Sequence, residues 1–227
     1  MANGSEDTRA RLIEAAGEVF AQHGYRAATV REICRRAGTN VGAVNYHFRD
    51  KKGLYSAVLD HSHRQAIRKY PPDAGLGENA TPEEKLRAFI RSFLQRILAE
   101  GFPTWHGKLI ALEIAEPSGA IGEMVENTVR PLFERMTGIL RELFQAYRGE
   151  SEGGDALFLC AMSVVGQCLH HYLARSVIAM LRPGAFGPGD IELLADHITR
   201  FSLAGIRAVA GTGPENTLWE GSGEVGR

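Results

Sequence analysis

The stretch Thr39–Tyr55, TNVGAVNYHFRDKKGLY, combines small residues, an Asn-Tyr-His triplet and three cations within seventeen positions. The apolar residues Val41, Val44 and Phe48 share one side of a helix of barely two turns, and this spacing predicts that the side packs inward. The opposite side then carries small and hydrogen-bonding residues, whereas an ordinary solvent-facing helix favours Glu and Lys. Small side chains let a helix backbone come close to a partner. The stretch therefore predicts a helix whose exposed side contacts another molecule, here called the contact helix.

Three further helices are predicted beside the short helix of this stretch, and the second and third helices of the four form a helix-turn-helix. Thr29 and Asp50 stand where N-caps are expected, since their side-chain oxygens accept hydrogen bonds from backbone amides of a first helical turn. Gly24 and Gly38 can adopt the left-handed conformation that ends a helix. A turn of about three residues containing glycine joins the second and third helices, as in helix-turn-helix proteins. The four helices are predicted at 8–23, 30–37, 41–48 and 51–69.

Charge is divided unevenly along the chain, although the net charge of the whole is only −1. Residues 1–70 contain 12 Lys and Arg against 7 Asp and Glu, and the remainder contains 14 against 20. Between Gly24 and Lys52 the count is 7 cations against 2 acids. A basic segment beside an acidic one favours contact of the basic segment with a polyanion such as DNA. On composition alone, a solvated charge run without a partner is the alternative.

The residues left facing outward on and beside the third helix are candidates for contacts to double-stranded DNA. The major groove accepts a helix, Asn can pair with a base edge, and Tyr, His and Lys can reach phosphate. Free backbone amides at the start of the second helix offer another phosphate site. The alternative for Tyr46 and His47 is that they pack between helices three and four. The candidate DNA-contacting residues are Thr29, Thr39, Asn40, Gly42, Asn45, Tyr46, His47 and Lys51.

The remainder of the chain is also predicted to be helical, because no segment of any length alternates apolar and polar residues as a strand does. PPDAGLGENA (71–80) cannot continue a helix, and the TPEE that follows, with Thr81 and Glu84 as a capping box, starts a new one. Pro131 is expected to kink or split a later helix near Val129. These later helices are predicted at 82–100, 105–116, 120–147, 155–181 and 191–210.

The predicted fold is therefore all-α, with an N-terminal helix-turn-helix DNA-binding domain joined to a larger helical domain for ligand binding and dimerisation. The first domain is placed at 8–70, the linker at 71–81, the second domain at 82–211 and a disordered tail at 212–227.

Two parts of the chain resemble known families. FAQHGYRAATVREICRRAGTNVGAVNYHFRDKKGLYSAVL resembles the DNA-binding domain of the TetR family of bacterial regulators over residues 8–60, and the resemblance implies that the eight candidate residues above contact an operator, mostly through phosphates. EIAEPSGAIGEMVENTVRPLFERMTGIL and GQCLHHYLAR resemble the C-terminal domain of CecR-type regulators, a TetR subgroup, over about 82–205. This second resemblance implies a regulator of drug-efflux or drug-sensitivity genes.

The last two predicted helices are apolar on more than one side. Such helices are expected to pack against other helices on both sides. The economical arrangement pairs them with their copies in a second chain as a four-helix interface, and a larger monomeric core is the alternative. A two-fold dimer would place two contact helices ~34 Å apart, matching a palindromic operator. The predicted interface residues are Leu157, Cys160, Val164, Leu194, Ile198 and Phe201.

A regulator that responds to a small molecule also needs a cavity between its helices. Bulky and pliable apolar groups suit an apolar ligand, and polar groups on apolar helices need a partner when buried. Plain core packing is the alternative for each of these side chains. The predicted effector-binding residues are Phe93, Trp105, Leu109, Glu113, Met136, Met162, Gln167 and His171.

The expected protein is thus a cytoplasmic homodimeric repressor that a small apolar or amphipathic effector releases from DNA, with helix four as the lever between the domains. An activator of the same family, a protein-interaction adaptor and an enzyme are the alternatives. The chain lacks HExxH, GxSxG and phosphate-binding glycine motifs, and no metal or cofactor is predicted. Three cysteines argue against a disulfide framework, and the longest apolar run, 157–165, is shorter than the ~20 residues of a membrane span.

Overall fold

The computed structural model describes residues 2–99, 105–149, 154–185 and 187–211, and every regular element in these ranges is helical, which confirms the all-α prediction. A π-helical turn, Val125–Val129, joins α7 to α8, and a 3-10 turn, Pro188–Asp190, precedes α11. The α-helices in these ranges are α1 (Ala2–Ala27), α2 (Val30–Ala37), α3 (Val41–Phe48), α4 (Lys51–Lys69), α5 (Pro82–Leu98), α6 (Trp105–Ala115), α7 (Gly122–Met124), α8 (Arg130–Arg148), α9 (Gly154–Leu173), α10 (Arg175–Leu181) and α11 (Ile191–Gly211).

The three predicted N-caps are confirmed. Thr29 Oγ1 accepts a hydrogen bond from the backbone N–H of Glu32 at 3.2 Å, and Asp50 Oδ1 accepts one from Gly53 at 2.8 Å. Thr81 and Glu84 form the reciprocal capping box, with N···O distances of 3.2 and 2.8 Å. These side chains satisfy amides that have no partner within the helix, so they fix where α2, α4 and α5 begin.

Other helix bounds differ from the prediction. Helix α1 begins at Ala2, well before residue 8, but its backbone breaks at the predicted position, Gly24, with a φ of 73°, and a further turn extends to Ala27. The helix predicted at 155–181 is two helices, because the backbone leaves helical geometry at Ala174 between α9 and α10. The expected split before Pro131 is confirmed by the π-helical turn ending at Val129. The predicted tail at 212–227 and the helix end at Glu100 lie outside the described residues.

Buried side chains form two apolar clusters. The first joins α1 to α4, here called the head, through residues such as Phe20, Ile33 and Leu54. The second joins α5, α8, α9 and α11 of the body, which we define as α5 to α11. Each fully buried large apolar side chain contributes ~1.5–3 kcal/mol to folding, so both clusters are substantial.

Helix α6 belongs to the body by sequence but packs on the head. Trp105 and Leu109 are buried in the head cluster, and Trp105 Nε1 donates a hydrogen bond to Glu14 Oε1 at 3.0 Å. The Trp105 ring lies against Gly17 of α1 so closely that an added β-carbon would stand 2.6 Å from it. Glycine is therefore required at position 17 for this contact, and α6 is seated directly on α1.

Helix α9 has the length and apolar composition needed to cross a membrane, and it is the one helix of the described ranges that has them. The apolar helix is longer than the run 157–165 seen in the sequence, because it extends beyond that run on both sides. Core helices of water-soluble proteins meet the same requirement, so the property by itself assigns no membrane role.

Candidate nucleic-acid interface and effector cavity

Helix α3 packs against the other helices of the head through two buried residues, and most of its surface is exposed. Val44 and Phe48 are buried, while Gly42 and Asn45 are exposed and Tyr46 is 79% exposed. The alternative in which Tyr46 packs between helices three and four is therefore excluded, and its predicted outward position is confirmed. The exposed side of α3 presents a phenol, a carboxamide and an accessible stretch of backbone, the groups that bind base edges and phosphates.

Val41 does not pack inward as the spacing predicted, because it is 46% exposed. Val44 and Phe48 suffice to seat a helix of two turns, and Val41 at its first position projects beyond that contact. Its isopropyl group thus joins the outward face, where it could meet a thymine methyl group. His47 is half-buried: its ring lies edge-on to Tyr46 with 4.9 Å between centroids and 5.9 Å from Phe48.

Three of the candidate DNA-contacting residues already have structural partners, and the first is Thr29, the N-cap of α2 described above. Asn40 is the N-cap of α3, with its Oδ1 accepting from the Ala43 N–H at 3.1 Å. Lys51 Nζ donates to the Arg26 carbonyl at 3.1 Å and lies 4.9 Å from the centroid of the Tyr25 ring, while burial lowers its pKa. An ammonium group has three donors, so Lys51 is held in place with donor capacity to spare.

The positive charge of the head is smaller than the residue count indicates. Arg35 and Arg36 both pair with Glu32 at 2.8 Å, and their hydrogen bonds lower the pKa of Glu32 to about 2. Other cations of the head are exposed and form no ion pair with any residue that the structure describes; they include Arg9, Arg26, Arg31, Arg49, Lys52 and Arg68. These cations contribute to the positive field that a polyanion would meet.

The junction between α3 and α4 is tight. Arg49 has a φ of 71°, and no other residue apart from glycine has a positive φ in the described ranges. With a ψ of −50° it approaches the strained γ-turn, which costs of order 1–3 kcal/mol. A β-carbon at Gly53 would collide with the backbone carbonyl of Phe48, so glycine is needed there. The junction fixes α3 at the start of α4.

A largely apolar cavity of about 320 Å³ lies between the head and the body. Residues of α4, α5, α6, α7, α8 and α9 line it. Four of the predicted effector-binding residues line it, namely Phe93, Glu113, Met136 and Met162. A volume near the lower end of the ~300–1,000 Å³ typical of ligand sites suits a compact molecule.

The other four predicted effector-binding residues do not line this cavity. Trp105 and Leu109 instead pack in the head cluster, where they hold α6 against the head as described above. Gln167 joins α9 to α11 through a hydrogen bond from Nε2 to Ser202 Oγ at 3.1 Å. His171 is half-buried beside His170, with 6.2 Å between ring centroids.

The cavity also contains three polar side chains that the sequence prediction missed: His63, Arg96 and His106. Arg96 follows Phe89 and Phe93 at helical spacing on the apolar side of α5, and a cation in that stripe was the available signal. His106 Nδ1 makes a short hydrogen bond with Ser62 Oγ. Burial, followed by the neighbouring His63, lowers the pKa of His106 to about 4, and burial also lowers the pKa of His63. Both imidazoles are therefore neutral at pH 7.

Glu113 connects the cavity wall to the head. Its Oε2 accepts a hydrogen bond from the Tyr55 hydroxyl of α4 at 2.9 Å, and its Oε1 accepts from the Ser118 N–H and hydroxyl at 2.9 and 3.0 Å. Burial, together with this carboxylate, raises the pKa of Tyr55. Buried polar groups are costly without partners, so this fully bonded set holds α6 against α4.

Five of the six predicted dimer-interface residues are buried within a single chain. Leu157, Cys160, Val164, Leu194 and Ile198 are each less than 9% exposed within a single chain, and Phe201 is 65% exposed. The strongest apolar stripe of α9 and of α11 is used by the core of the same chain. A second stripe on each helix faces outward; we call these two stripes the α9–α11 face, and they comprise Leu159, Ser163, Gly166, His170 and Leu173 with Leu193, His197, Phe201, Ala204 and Ala208.

Comparisons with known proteins agree on the kind of protein. The profile "Bacterial regulatory proteins, tetR family" matches residues 12–58, and "HTH-type transcriptional dual regulator CecR, C-terminal domain" matches residues 82–206. The dual regulator CecR of Shigella flexneri is 28% identical over 205 residues, covering 86% of this chain and 89% of that protein.

Solved structures share the fold. The regulator FadR from Bacillus subtilis, solved with stearoyl-CoA, has a TM-score of 0.64 and 20% identity, covering 86% of this chain and 97% of that one. AibR, solved with isovaleryl coenzyme A and operator DNA, has a TM-score of 0.63 and 16% identity with the same two coverages. These relatives and neighbours are transcriptional regulators, not enzymes. The chain belongs to the TetR family of bacterial transcriptional regulators, with a C-terminal domain of the CecR type.

Proposed function

We propose that the protein is a homodimeric repressor that leaves a palindromic operator when a small apolar or amphipathic effector enters the cavity. The observation that carries this proposal is the double role of α6. One part of that helix, Trp105 and Leu109, is packed into the head, while His106, Ile110 and Glu113 line the cavity. A ligand that changes the position of α6 thereby changes the position of the DNA-contacting head.

The proposed operator contacts come from α3 and its surroundings: Thr29, Thr39, Asn40, Gly42, Asn45, Tyr46, His47 and Lys51. The exposure of Tyr46 and Asn45 and the unpaired cations of the head support this set. We add Val41 because its side chain lies on the same outward face. The proposed domains are 8–70 for DNA binding and 82–211 for effector binding and dimerisation, with a linker at 71–81. A regulator that binds chromosomal DNA in a bacterium acts in the cytoplasm.

The proposed dimer forms through the α9–α11 face. Its residues recur at intervals of three and four along both helices, the spacing of helices that pack side by side in a bundle. Gly166, Ser163 and Ala204 are small and permit close approach of the helix backbones, while Phe201 and Leu159 supply apolar area. A two-fold interface through this face would also remove the exposed apolar side chains of α9 from water.

Phe201→Glu is expected to convert the dimer to monomers, because a two-fold interface would bury the new carboxylate twice without a partner. Sedimentation or light scattering at micromolar concentration measures the change, and operator affinity should fall with it. Arg141→Glu, at an exposed position of α8 outside the face, is the control and should remain dimeric. A Phe201→Glu protein that stays dimeric would place the interface elsewhere.

The effector acts only if it binds more tightly to the conformation that cannot hold DNA. Helix α4 joins the head to the body, and α6 is tied to α4 through Glu113 and Tyr55. Both helices line the cavity, so displacement of either one transmits ligand binding to the head. FadR and AibR were solved with acyl-CoA ligands, which supports a small-molecule effector here.

The direct test is a protection footprint of the purified protein on DNA flanking its own gene. We expect two protected half-sites whose centres are about one helical turn apart, with an affinity that falls steeply with log salt concentration. A flat salt response would favour a protein-interaction adaptor. The name "dual regulator" of the Shigella flexneri relative favours activation as the second candidate, which a reporter fused to the protected promoter distinguishes from repression. Efflux and drug-sensitivity genes are the proposed targets.

A further inference from the structure

One charged side chain in the cavity has no counter-ion among the residues that the structure describes. Arg96 of α5 is 7% exposed and lines the cavity, where its guanidinium carbon lies 5.5 Å from the centroid of the Phe93 ring. Its Nη1 donates to the Tyr70 carbonyl at 3.2 Å and to Ser92 Oγ at 2.7 Å. Its Nη2 has no hydrogen-bond partner, and no carboxylate of the described residues lies within ion-pair distance of the group.

The ionisable groups around Arg96 do not compensate its charge. His63 and His106 are neutral at pH 7, for the reasons given above. Burial raises the pKa of the nearby Cys168 thiol to about 12, so Cys168 is neutral too. Glu113 also lines the cavity, but its two oxygens are occupied by Tyr55 and Ser118.

Arg96 nevertheless keeps its proton. Burial lowers the pKa of Arg96 to about 10, which still leaves the guanidinium charged at neutral pH. An unpaired charge in an apolar site is unfavourable, and an anion that forms a hydrogen-bonded pair with it offsets the penalty. The planar guanidinium suits a carboxylate particularly well, because both groups are flat and present their donors and acceptors side by side.

We propose that the effector is an anionic amphiphile, a carboxylate on a compact apolar chain or ring, whose carboxylate pairs with Arg96 while the apolar part fills the cavity. The apolar part contacts Phe89, Phe93, Met136 and Met162. This proposal rests on the proposed function in taking the cavity as the effector site. It goes further by assigning the chemical class of the effector and the residue that selects it.

The position of Arg96 also links the effector to the head. Its Nη1 is bonded to the carbonyl of Tyr70, the residue that caps the C-terminal end of α4. A carboxylate that draws the guanidinium towards the cavity competes for this hydrogen bond and so acts on the end of the helix that carries the head.

The test compares decanoate, decanol and decanoyl-CoA as ligands of the full chain by calorimetry or thermal shift. The wild-type protein is expected to bind decanoate at least about tenfold more tightly than decanol, the range expected for a hydrogen-bonded charged pair. Arg96→Met should abolish this preference and leave decanol affinity nearly unchanged, while Arg96→Lys should retain part of it. Arg91→Met, which removes a half-buried, ion-paired arginine of the same helix that does not line the cavity, is the control and should bind like wild type.

Equal binding of decanoate and decanol by the wild-type protein would overturn the proposal, as would absence of decanoate binding at millimolar concentration. Preference for decanoyl-CoA that persists in Arg96→Met would assign the anion to the coenzyme phosphates instead. If Arg96→Met fails to fold, the wild-type comparison and Arg96→Lys still decide. Operator affinity measured on the same preparations separates the two claims, since a protein that binds DNA but shows no carboxylate preference retains the proposed function.

Discussion

Replacing Tyr46 and His47 together by alanine is expected to lower operator affinity by at least about 30-fold with little loss of stability. Each side chain is expected to make one hydrogen bond to a charged phosphate or a base edge, and such bonds contribute ~1.5–3 kcal/mol. Tyr46 is 79% exposed, so its removal leaves the core intact, and His47 contributes one tilted ring contact to Phe48. The expected change in the free energy of unfolding is below about 1 kcal/mol.

Fluorescence anisotropy with a duplex carrying the footprinted operator measures the affinity, and urea unfolding measures the stability. Loss of phosphate contacts should also reduce the slope of log affinity against log salt concentration. Arg68→Ala is the control, because this exposed cation lies on α4 about 26 Å from its first residue at 1.5 Å per residue. A double variant that unfolds would mean that the two side chains are structural, and one that binds normally would remove α3 from the interface.

The features predicted well from the sequence depend on interactions between neighbours in the chain. Thr29, Asp50 and Thr81 cap helices through bonds to backbone amides three residues later, so a short stretch of sequence contains the whole interaction. The split before Pro131 is equally local, because proline cannot donate the hydrogen bond that an uninterrupted helix requires there.

The errors arose where the partner comes from elsewhere in the chain. Leu157, Cys160 and Val164 form the stronger apolar stripe of α9, and periodicity alone cannot say whether the same chain or a second copy covers it. Trp105 has the bulk that suits a ligand cavity, yet its position is decided by Gly17, 88 residues earlier. That glycine inside a helical pattern was a usable signal, since it often marks close approach of another element.

Arg96 shows a further limit of prediction from sequence. Its place on the apolar side of α5 is visible in the spacing from Phe89 and Phe93, but burial of an arginine is normally accompanied by an acidic partner. Only the arrangement of α4, α6 and α9 around it reveals that no such partner is present among the described residues. The composition of a cavity can thus be anticipated from helical faces, whereas its charge balance requires the packed structure.

Gly17→Ala is expected to weaken the coupling between effector binding in the cavity and DNA binding by the head. The added methyl group would stand 2.6 Å from the Trp105 ring, and forcing a side chain into a packed contact costs ~1–3 kcal/mol. Because α6 lines the cavity and is seated on α1 by this ring, a displaced Trp105 loosens the transmission of ligand binding. The ratio of operator affinities without and with effector, typically 5–150-fold in allosteric proteins, should therefore shrink towards one.

Gly138→Ala provides a matched control, since a β-carbon at this position of α8 meets nothing within 4 Å. Alanine in a helix is favoured over glycine by ~0.5–1 kcal/mol, so this variant should be slightly more stable and respond to effector as wild type does. Trp105→Phe added to Gly17→Ala should restore part of the lost stability and part of the response, because the smaller ring makes room for the methyl group. Such non-additivity is the signature of direct contact. If Gly17→Ala loses stability but keeps the full effector response, transmission passes through α4 and not through the seat of α6.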